Sequence, residues 1–473
     1  VRLKELFPQV NQDAQITGIA TDTRFVQPGF LFVPLQGQHF KGDEFIIEAT
    51  QKGASAVVLD APYYQATVPV VVAENPFSEL LRILKIFYGE PFNNLTLTGV
   101  TGTDGKTTSC TIIDHLLKSR FSTAVMGTTG IFYQNESRFN LFTTPLLAES
   151  YRLLHEFVER RITHVTMEVS SEGIIGKRIE PYRFDYGVYT NLSHEHLNTH
   201  KSMEEYFEAK FRLFRQLKPD GLAIVNKDDI YANRFKSFSN LITYSIEKPS
   251  DFQAINIERK QNHLTFDIKA GSNLYQGFKL NKPELYNLAN ALPGIVIALK
   301  EEIPLSVIKK RLANTPVVPG RLEKIATVDK ADIYVDFAHT PNAIANLLTE
   351  ARKKTDGKLI IVCGATGNKD QTKRPLMGKI ATELADYVVF TTEDPYDENP
   401  EEIIDQMTSE VTKTNYSKIG NRKSAISLGI AMSGPGDIVL VTGKGRETTV
   451  TEKGIKQSYS DVETIYEIVR KLK

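Results

Sequence analysis

The 473-residue chain carries 57 Lys+Arg against 57 Asp+Glu, a formal net charge of zero, so it lacks the basic excess with which nucleic-acid binders neutralise phosphates. At roughly 150 residues per domain it has room for about three domains, each with its own core. Its two cysteines, Cys110 and Cys363, lie far apart among small or apolar neighbours and read as reduced core thiols, not as a disulfide framework or a zinc site.

The first residues, Val1 to Phe7, mix charge with apolar side chains and lack the apolar core of an export signal. The most apolar stretches, such as residues 68–73, fall far short of the roughly 18 residues that suggest a membrane span. The expectation is a cytoplasmic monomer with neither a membrane nor a nucleic-acid partner. Residues 18–33 read as a turn between two strands. Residues 78–89 read as a helix with Leu80, Leu81, Leu84 and Phe87 on one face, and the turn-rich residues 89–94 follow it.

Residues 95–99 then read as a strand and residues 107–118 as a helix, with Ile112, Ile113, Leu116 and Leu117 facing inward. Between them lies the run Gly99-Val100-Thr101-Gly102-Thr103-Asp104-Gly105-Lys106-Thr107-Thr108. A glycine-rich strand-to-helix turn aims backbone N–H groups and the positive end of a helix at an anion. Lys106 is placed to neutralise terminal phosphates and Thr107 to ligate Mg²⁺. Val100 stands where the strict phosphate-loop spacing has glycine, so the general pattern is met in its Gly-Lys-Thr half.

Further along, Val165, Met167 and Val169 alternate and put Glu168 on the opposite face near the end of a strand. There it is either a solvated carboxylate or a metal ligand beside bound phosphates. A strand at 186–191 runs into a segment holding His194, His196 and His200, three of the nine histidines. The clustering suggests metal or phosphate contact. With no cysteine nearby, and with a nucleotide loop calling for Mg²⁺, zinc is the weaker reading. The helix at 203–217 has Phe207, Phe211 and Phe214 as its buried stripe, and Lys210 borders it. Lys210 alone reads as a snorkelling lysine. Its other role is a carbamate formed with CO₂, an anionic ligand whose formation needs the neutral amine that desolvation favours.

A cluster of breakers at 314–320 precedes a strand at 333–337. After it, the strand at 358–363, the helix at 376–384 and the strand at 387–390 alternate as in a parallel α/β sheet. The resulting division is residues 1–90, 91–317 and 318–473.

The motifs in this order resemble the Mur ligase family, and the N-terminal Asp22-Thr23-Arg24 and Pro28-Gly29-Phe30-Leu31-Phe32 resemble its MurE branch. The resemblance implies a three-domain α/β fold. An N-terminal uridine-nucleotide substrate domain comes first, then a central P-loop-type mononucleotide-binding domain, then a C-terminal Rossmann-like domain for the amino acid. It implies an ATP-dependent ligase of peptidoglycan synthesis that joins an amino acid to the D-glutamyl carboxylate of UDP-MurNAc-L-Ala-D-Glu through an acyl phosphate. ATP would be held by Gly102, Thr103, Asp104, Gly105, Lys106, Thr107, Thr108, Asn287, Arg321 and Asp336. Mg²⁺ would be held by Thr107, Glu168, His196 and a carbamylated Lys210. Lys106, Lys210 and Arg321 would carry the catalysis. Substrate would meet Thr23, Thr143, Thr144, Ser171, Arg178, Lys369, Asp394, Tyr396, Gly443 and Glu447.

The chain departs from the family at Asp104, which is usually asparagine, at Glu172, which is usually histidine, and at Glu284. It has Glu393-Asp394-Pro395-Tyr396 where diaminopimelate-adding enzymes have Asp-Asn-Pro-Arg. With that arginine absent and Glu393, Asp394, Asp397 and Glu398 forming an acidic patch, the expected amino acid is L-lysine over meso-diaminopimelate, with ornithine as a neighbour. The rival readings are a MurF-type or folylpolyglutamate-type ligase, and a catalytically weak nucleotide-binding partner subunit.

Overall fold

The computed structural model describes residues 1–35, 45–63 and 66–472. They form a mixed α/β fold in two compact units, Val1–Gly99 with Phe121–Asp185 and Gln216–Pro219, and Val100–Arg120 with Tyr186–Arg215 and Asp220–Lys473. The boundary falls inside three strands, Thr96–Thr101, Phe184–Tyr189 and Leu217–Asn226. No helix among the described residues is long and apolar enough to cross a membrane.

In the first unit the β-branched and aromatic runs Gly18–Ala20, Phe30–Phe32, Ala56–Leu59 and Val70–Val72 pair in that order as a parallel sheet. The first three strands are buried throughout, as expected of a parallel sheet covered on both faces. The helix Pro76–Tyr88 starts where Asn75 accepts a hydrogen bond from the Ser78 amide and proline occupies the first turn, and it stops at Gly89. Its buried face is Leu80, Ile83, Leu84 and Tyr88; Leu81 and Phe87 of the expected stripe are only half-buried, so the true stripe is rotated from the one expected. The same unit holds the strands Thr123–Gly127 and His164–Glu168, paired in parallel, and a hairpin, Gly130–Tyr133 with Glu136–Arg138, on the far side of Thr123–Gly127.

In the second unit the helix Lys106–Leu117 follows the glycine-rich turn, and all four expected inward residues are buried. Phe207 and Phe214 of the helix Met203–Arg215 are likewise buried, whereas Phe211 is half-buried and packs its ring on Phe235 and Phe238. Residues 323–442 build a six-stranded sheet in the order Glu323–Val328, Ala331–Asp336, Ile438–Thr442, Leu359–Cys363, Tyr387–Phe390, Tyr416–Lys418, antiparallel only at its first pair. Successive strand residues face opposite ways. Leu359, Ile361 and Cys363 therefore pack under the helices Pro341–Arg352, Arg374–Leu384 and Pro400–Thr408. Ile360 and Val362 pack under Arg422–Ala431 and Asp461–Leu472. Cys110 and Cys363 are both buried and outside any disulfide, and burial pushes the Cys363 thiol up to about 12.

This topology decides where ligand-facing loops can lie. In an open parallel sheet the crevice lies outside the carboxyl ends of the strands. The segments after Asp336, Cys363, Phe390 and Thr442 all leave from those ends. They carry the sequence-selected residues Lys369, Asp394, Tyr396, Gly443 and Glu447.

Candidate functional site

In the second unit the glycine-rich turn is shaped by two backbone positions that a side chain would not fit. Gly102 has φ 149° and lies so close to Thr190 that a Cβ would collide with its hydroxyl and crowd the Asn191 backbone. Gly105, at φ 85°, is the N-terminal cap of the helix Lys106–Leu117, and a Cβ there would meet the Asn290 amide. Two amides of the turn are already used: Thr103 N–H donates to Asn191 O at 2.9 Å and Asp104 N–H to Asn191 Oδ1 at 2.9 Å. The helix Lys106–Leu117 starts directly after these two bonds and presents its positive end to the turn.

Lysine side chains converge here. Lys106 Nζ donates to Gly102 O at 2.9 Å and Thr103 O at 2.8 Å, and Lys210 Nζ donates to the same Gly102 carbonyl at 2.8 Å. Lys210 is 1 % exposed, which removes the snorkelling reading. Its Nζ also lies 4.4 Å from the centre of the Tyr206 ring. His196 is held neutral: burial, then the positive charges of Lys210, Lys369, Lys106 and Lys373, push its imidazole well below the ordinary value. A neutral imidazole is the form that ligates metal. Lys106, Lys210 and Lys369 make a field suited to a polyphosphate, whereas Lys373 is matched by Glu195 at 2.9 Å.

The three clustered histidines meet different partners. His194 Nε2 lies 2.7 Å from Thr372 Oγ1, whereas His196 and His200 both pack on the Tyr206 ring, His196 also within reach of the lysine charges. Among the described residues no group of three or more His, Cys, Asp or Glu side chains gathers as a metal cluster.

From the C-terminal sheet, Arg321 Nη2 donates to Thr107 Oγ1 at 3.1 Å while its guanidinium lies 4.6 Å from the centre of the Phe337 ring. Thr107 and Thr108 are themselves buried. Asp336 accepts the amides of Leu322 and Ala338, so it ties the turn at 319–322 to the end of its own strand. Asn287 donates through Nδ2 to Glu284 Oε2 at 2.8 Å, and Glu284 also pairs with Lys354 at 2.6 Å. The unusual Glu284 is thereby accounted for as part of a local network.

The expected acidic patch is largely cancelled from within. Glu398 is forked by the fully buried Arg374 at 2.6 and 3.0 Å. Asp394 is paired with Lys444, which is 0 % exposed and also bonds Glu447 at 3.1 Å. Asp397 accepts from Asn368 at 2.8 Å. Burial and then the neighbouring Lys444, Glu393 and Asp394 charges act on Glu447, with the net effect of raising its carboxyl. Glu393 accepts from Thr366 at 2.7 Å through one oxygen, while its other oxygen is buried without a hydrogen-bond partner among the described residues. Tyr396 takes a left-handed backbone, φ 50°, and is fixed by backbone bonds with Thr451 and Lys453. Lys369 lies within charge reach of both Tyr396 and His196, and Gly443 N–H donates to Asp336 O at 3.1 Å. Sequence reading missed the buried pairs Glu195–Lys373 at 2.9 Å and Arg422–Asp461 at 2.7 Å, for which no local motif exists.

In the first unit, Glu168 is 1 % exposed and accepts from the Thr128 amide at 2.9 Å and its hydroxyl at 3.2 Å; the solvated reading of this residue is excluded. Thr128 Oγ1 also lies 3.0 Å from Thr143 Oγ1. Thr144 is fully buried and bonds Glu168 O at 3.0 Å and the Ser170 amide at 2.9 Å, and Ser171 is buried beside it. Arg178 Nη1 donates to Thr144 O at 2.9 Å. Arg24 and Arg178 both lie over the Phe142 ring, at 5.4 and 4.4 Å, which brings the turn carrying Thr23 to the 143–145 segment.

Three family matches cover most of this chain: residues 15–85 match "Mur ligase family, catalytic domain", residues 100–298 "Mur ligase middle domain", and residues 320–445 "Mur ligase, glutamate ligase domain". The chain is 34% identical over 459 residues to the UDP-N-acetylmuramyl-tripeptide synthetase 2 of Oceanobacillus iheyensis, covering 94% of this chain and 92% of that one. It is 35% identical over 461 residues to the UDP-N-acetylmuramoyl-L-alanyl-D-glutamate--2,6-diaminopimelate ligase of Aquifex aeolicus, covering 96% and 94%. A solved UDP-N-acetylmuramoyl-L-alanyl-D-glutamate--2,6-diaminopimelate ligase, 28% identical, superposes with a TM-score of 0.61 over 100% of this chain and 99% of that one. The fold is also that of the MurF ligase of Thermotoga maritima solved with ADP, at 19% identity and a TM-score of 0.68 over 96% and 97% of the two chains.

Proposed function

The chain belongs to the Mur ligase family and is an ATP-dependent ligase that forms an amide bond; from that premise we propose that it adds L-lysine, in preference to meso-diaminopimelate, to UDP-N-acetylmuramoyl-L-alanyl-D-glutamate. The observation that carries the lysine preference is Tyr396, at the position where diaminopimelate-adding enzymes place an arginine, within charge reach of the acids Asp394 and Glu447 as well as of Lys369 and Lys444. Meso-diaminopimelate is the second reading, favoured by the names of relatives such as the Aquifex aeolicus ligase. Phosphate release with L-lysine, L-ornithine and meso-diaminopimelate, each with the UDP-dipeptide and ATP, decides between them. Turnover with diaminopimelate alone would end the lysine proposal, and no turnover with any of the three would favour a nucleotide-binding partner subunit.

The proposed division of labour is residues 1–90 for the uridine nucleotide, 91–317 for ATP and 318–473 for the amino acid. A carboxylate resists amines because its oxygen is a poor leaving group. Transfer of the γ-phosphoryl group of ATP to the D-glutamyl carboxylate gives an acyl phosphate; the amine nitrogen then attacks the carbonyl carbon, and the C–O bond to phosphate breaks as the amide forms. Lys106 and Arg321 would stabilise charge on the transferring group, and Gly102 to Thr108 would orient it. Asn287 and Asp336 would meet the nucleoside. Thr23, Thr143, Thr144, Ser171 and Arg178 would hold the UDP-dipeptide, with Lys369 receiving the amino acid's carboxylate and Asp394, Tyr396, Gly443 and Glu447 surrounding its amines.

Mg²⁺, when bound, would supply positive charge that offsets the charge of the phosphates. By donor chemistry, each residue taken by itself suits it: in the second unit Thr107 offers a hydroxyl and His196 a neutral imidazole, and in the first unit Glu168 offers a buried carboxylate. Lys210 fits as a fourth ligand only as its carbamate, because an ammonium donates and cannot ligate. Lys210→Ala would abolish turnover, and partial recovery on adding a short carboxylic acid would support the carbamate.

A further inference from the structure

Asp104 is the loop's single carboxylate, at the position where Mur ligases usually carry asparagine. Beside bound phosphates it would be repulsive if it pointed at them. Its surroundings draw it elsewhere. Thr340 Oγ1 donates to Asp104 at 3.3 and 3.4 Å, Asn342 Nδ2 at 3.4 Å and Ser193 Oγ at 3.3 Å. The direction of the Thr340 bond is fixed independently: Thr340 caps the twelve-residue helix Pro341–Arg352, and its Oγ1 accepts the Ala343 amide at 3.1 Å, leaving its proton for the carboxylate. The carboxylate thus sits at the positive end of that helix, where an anion is stabilised. The backbone of Asp104 is anchored as well, its N–H to Asn191 Oδ1 at 2.9 Å and its carbonyl to Thr190 Oγ1 at 2.7 Å.

We propose that Asp104 is a positioning residue that ties the phosphate loop to the N-terminus of Pro341–Arg352. The helix begins five residues after Asp336, on the segment that leaves the carboxyl end of the strand Ala331–Asp336. The link therefore passes the placement of the nucleotide loop directly to the sheet whose loops would receive the amino acid. Because the charge is committed to the helix end, nucleotide affinity does not depend on it, whereas the alignment of the two halves of the reaction does.

The test is a charge swap measured by ADP affinity and by steady-state kinetics. Asn342 is exposed and lies in the first helical turn, where an acid is well tolerated, so folding is not at risk. Asn342→Asp alone faces Asp104 with a like charge and is expected to lower kcat about tenfold and raise KM for the amino acid, with ADP affinity within about twofold. Asp104→Asn alone is expected to lower kcat about threefold. Combining Asp104→Asn with Asn342→Asp restores one charge and its donors, and kcat is expected to return to within about threefold of the parent. A double variant no better than the weaker single, a harmless Asn342→Asp, or an Asp104→Asn that tightens ADP without loss of kcat would each overturn the proposal. Inactivity of the parent chain with every amino acid bears on the function proposed above, whereas only the pattern among variants bears on Asp104.

Discussion

The phosphate loop and the loop at 393–398 each follow a strand, yet they hold their shape by different means. The first depends on backbone: Gly102 and Gly105 occupy conformations and spaces that a side chain would not fit. The second depends on charge, with Lys444 buried between Asp394 and Glu447 and Arg374 buried against Glu398. A backbone device survives loss of a functional side chain, whereas a buried charge device does not, because the partner left behind is desolvated and unpaired.

The largest expected effect tests the second half of that contrast. Lys444→Met leaves Asp394 and Glu447 without their shared cation and should cost about 3–5 kcal/mol of unfolding free energy, read by chemical denaturation. A loss below about 1 kcal/mol, the range of an exposed pair, would show that charge pairing does not hold this loop. Lys106→Ala tests the first half. Turnover should fall about 10²–10³-fold, the cost of one transition-state donor, while unfolding shifts by less than about 1 kcal/mol. If Lys106→Ala unfolds the protein instead, the two loops are not different in kind.

Glu398 sharpens the comparison through pH. The hydrogen bonds from Arg374 outweigh burial and hold the Glu398 carboxyl below its ordinary value. A carboxylate whose native value is depressed binds fewer protons in the folded state. Its contribution is therefore complete above the unfolded value of about 4.3 and is lost as pH falls through the native value. Glu398→Gln should cost about 1.5–3 kcal/mol at neutral pH, and the gap to the parent should close as acid is added. A gap independent of pH would mean that shape, not charge, is what Arg374 recognises.

The contrast also explains what could be read from the sequence. The glycine-rich turn, its strand and its helix were legible because backbone demands leave a residue-type signature at fixed spacing. The alternation of strand and helix in the C-terminal sheet was legible for the same reason. Lys210 was legible in position but not in state: its spacing put it beside an apolar stripe, and only the fold shows it buried on Gly102 O. The pairing of Arg374 with Glu398, of Lys444 with Asp394 and of Lys373 with Glu195 spans 24, 50 and 178 residues. No local pattern announces such partners, so four acids in six residues read as a patch when two of them were already matched by buried cations. Asp104 reads in the sequence only as a departure from the family's asparagine, because its three side-chain donors lie 89 to 238 residues away.

Tyr396→Arg is the mildest change and bears most directly on substrate choice. Tyr396 is held by its backbone, so the substitution alters the side chain without altering the turn, whose left-handed geometry already carries a non-glycine residue. A guanidinium there would offer the fork that a second carboxylate of meso-diaminopimelate needs. It would also be drawn to Asp394 and Glu447, which compete for it because Lys444 alone does not match both acids and Glu393. The gain is therefore expected to be about tenfold in the ratio of kcat/KM for diaminopimelate over lysine, about 1.4 kcal/mol, less than an unopposed fork would give. A ratio unmoved by the arginine would place amino-acid choice elsewhere, and a parent enzyme already selective for diaminopimelate would mean that Lys369 alone suffices to bind it.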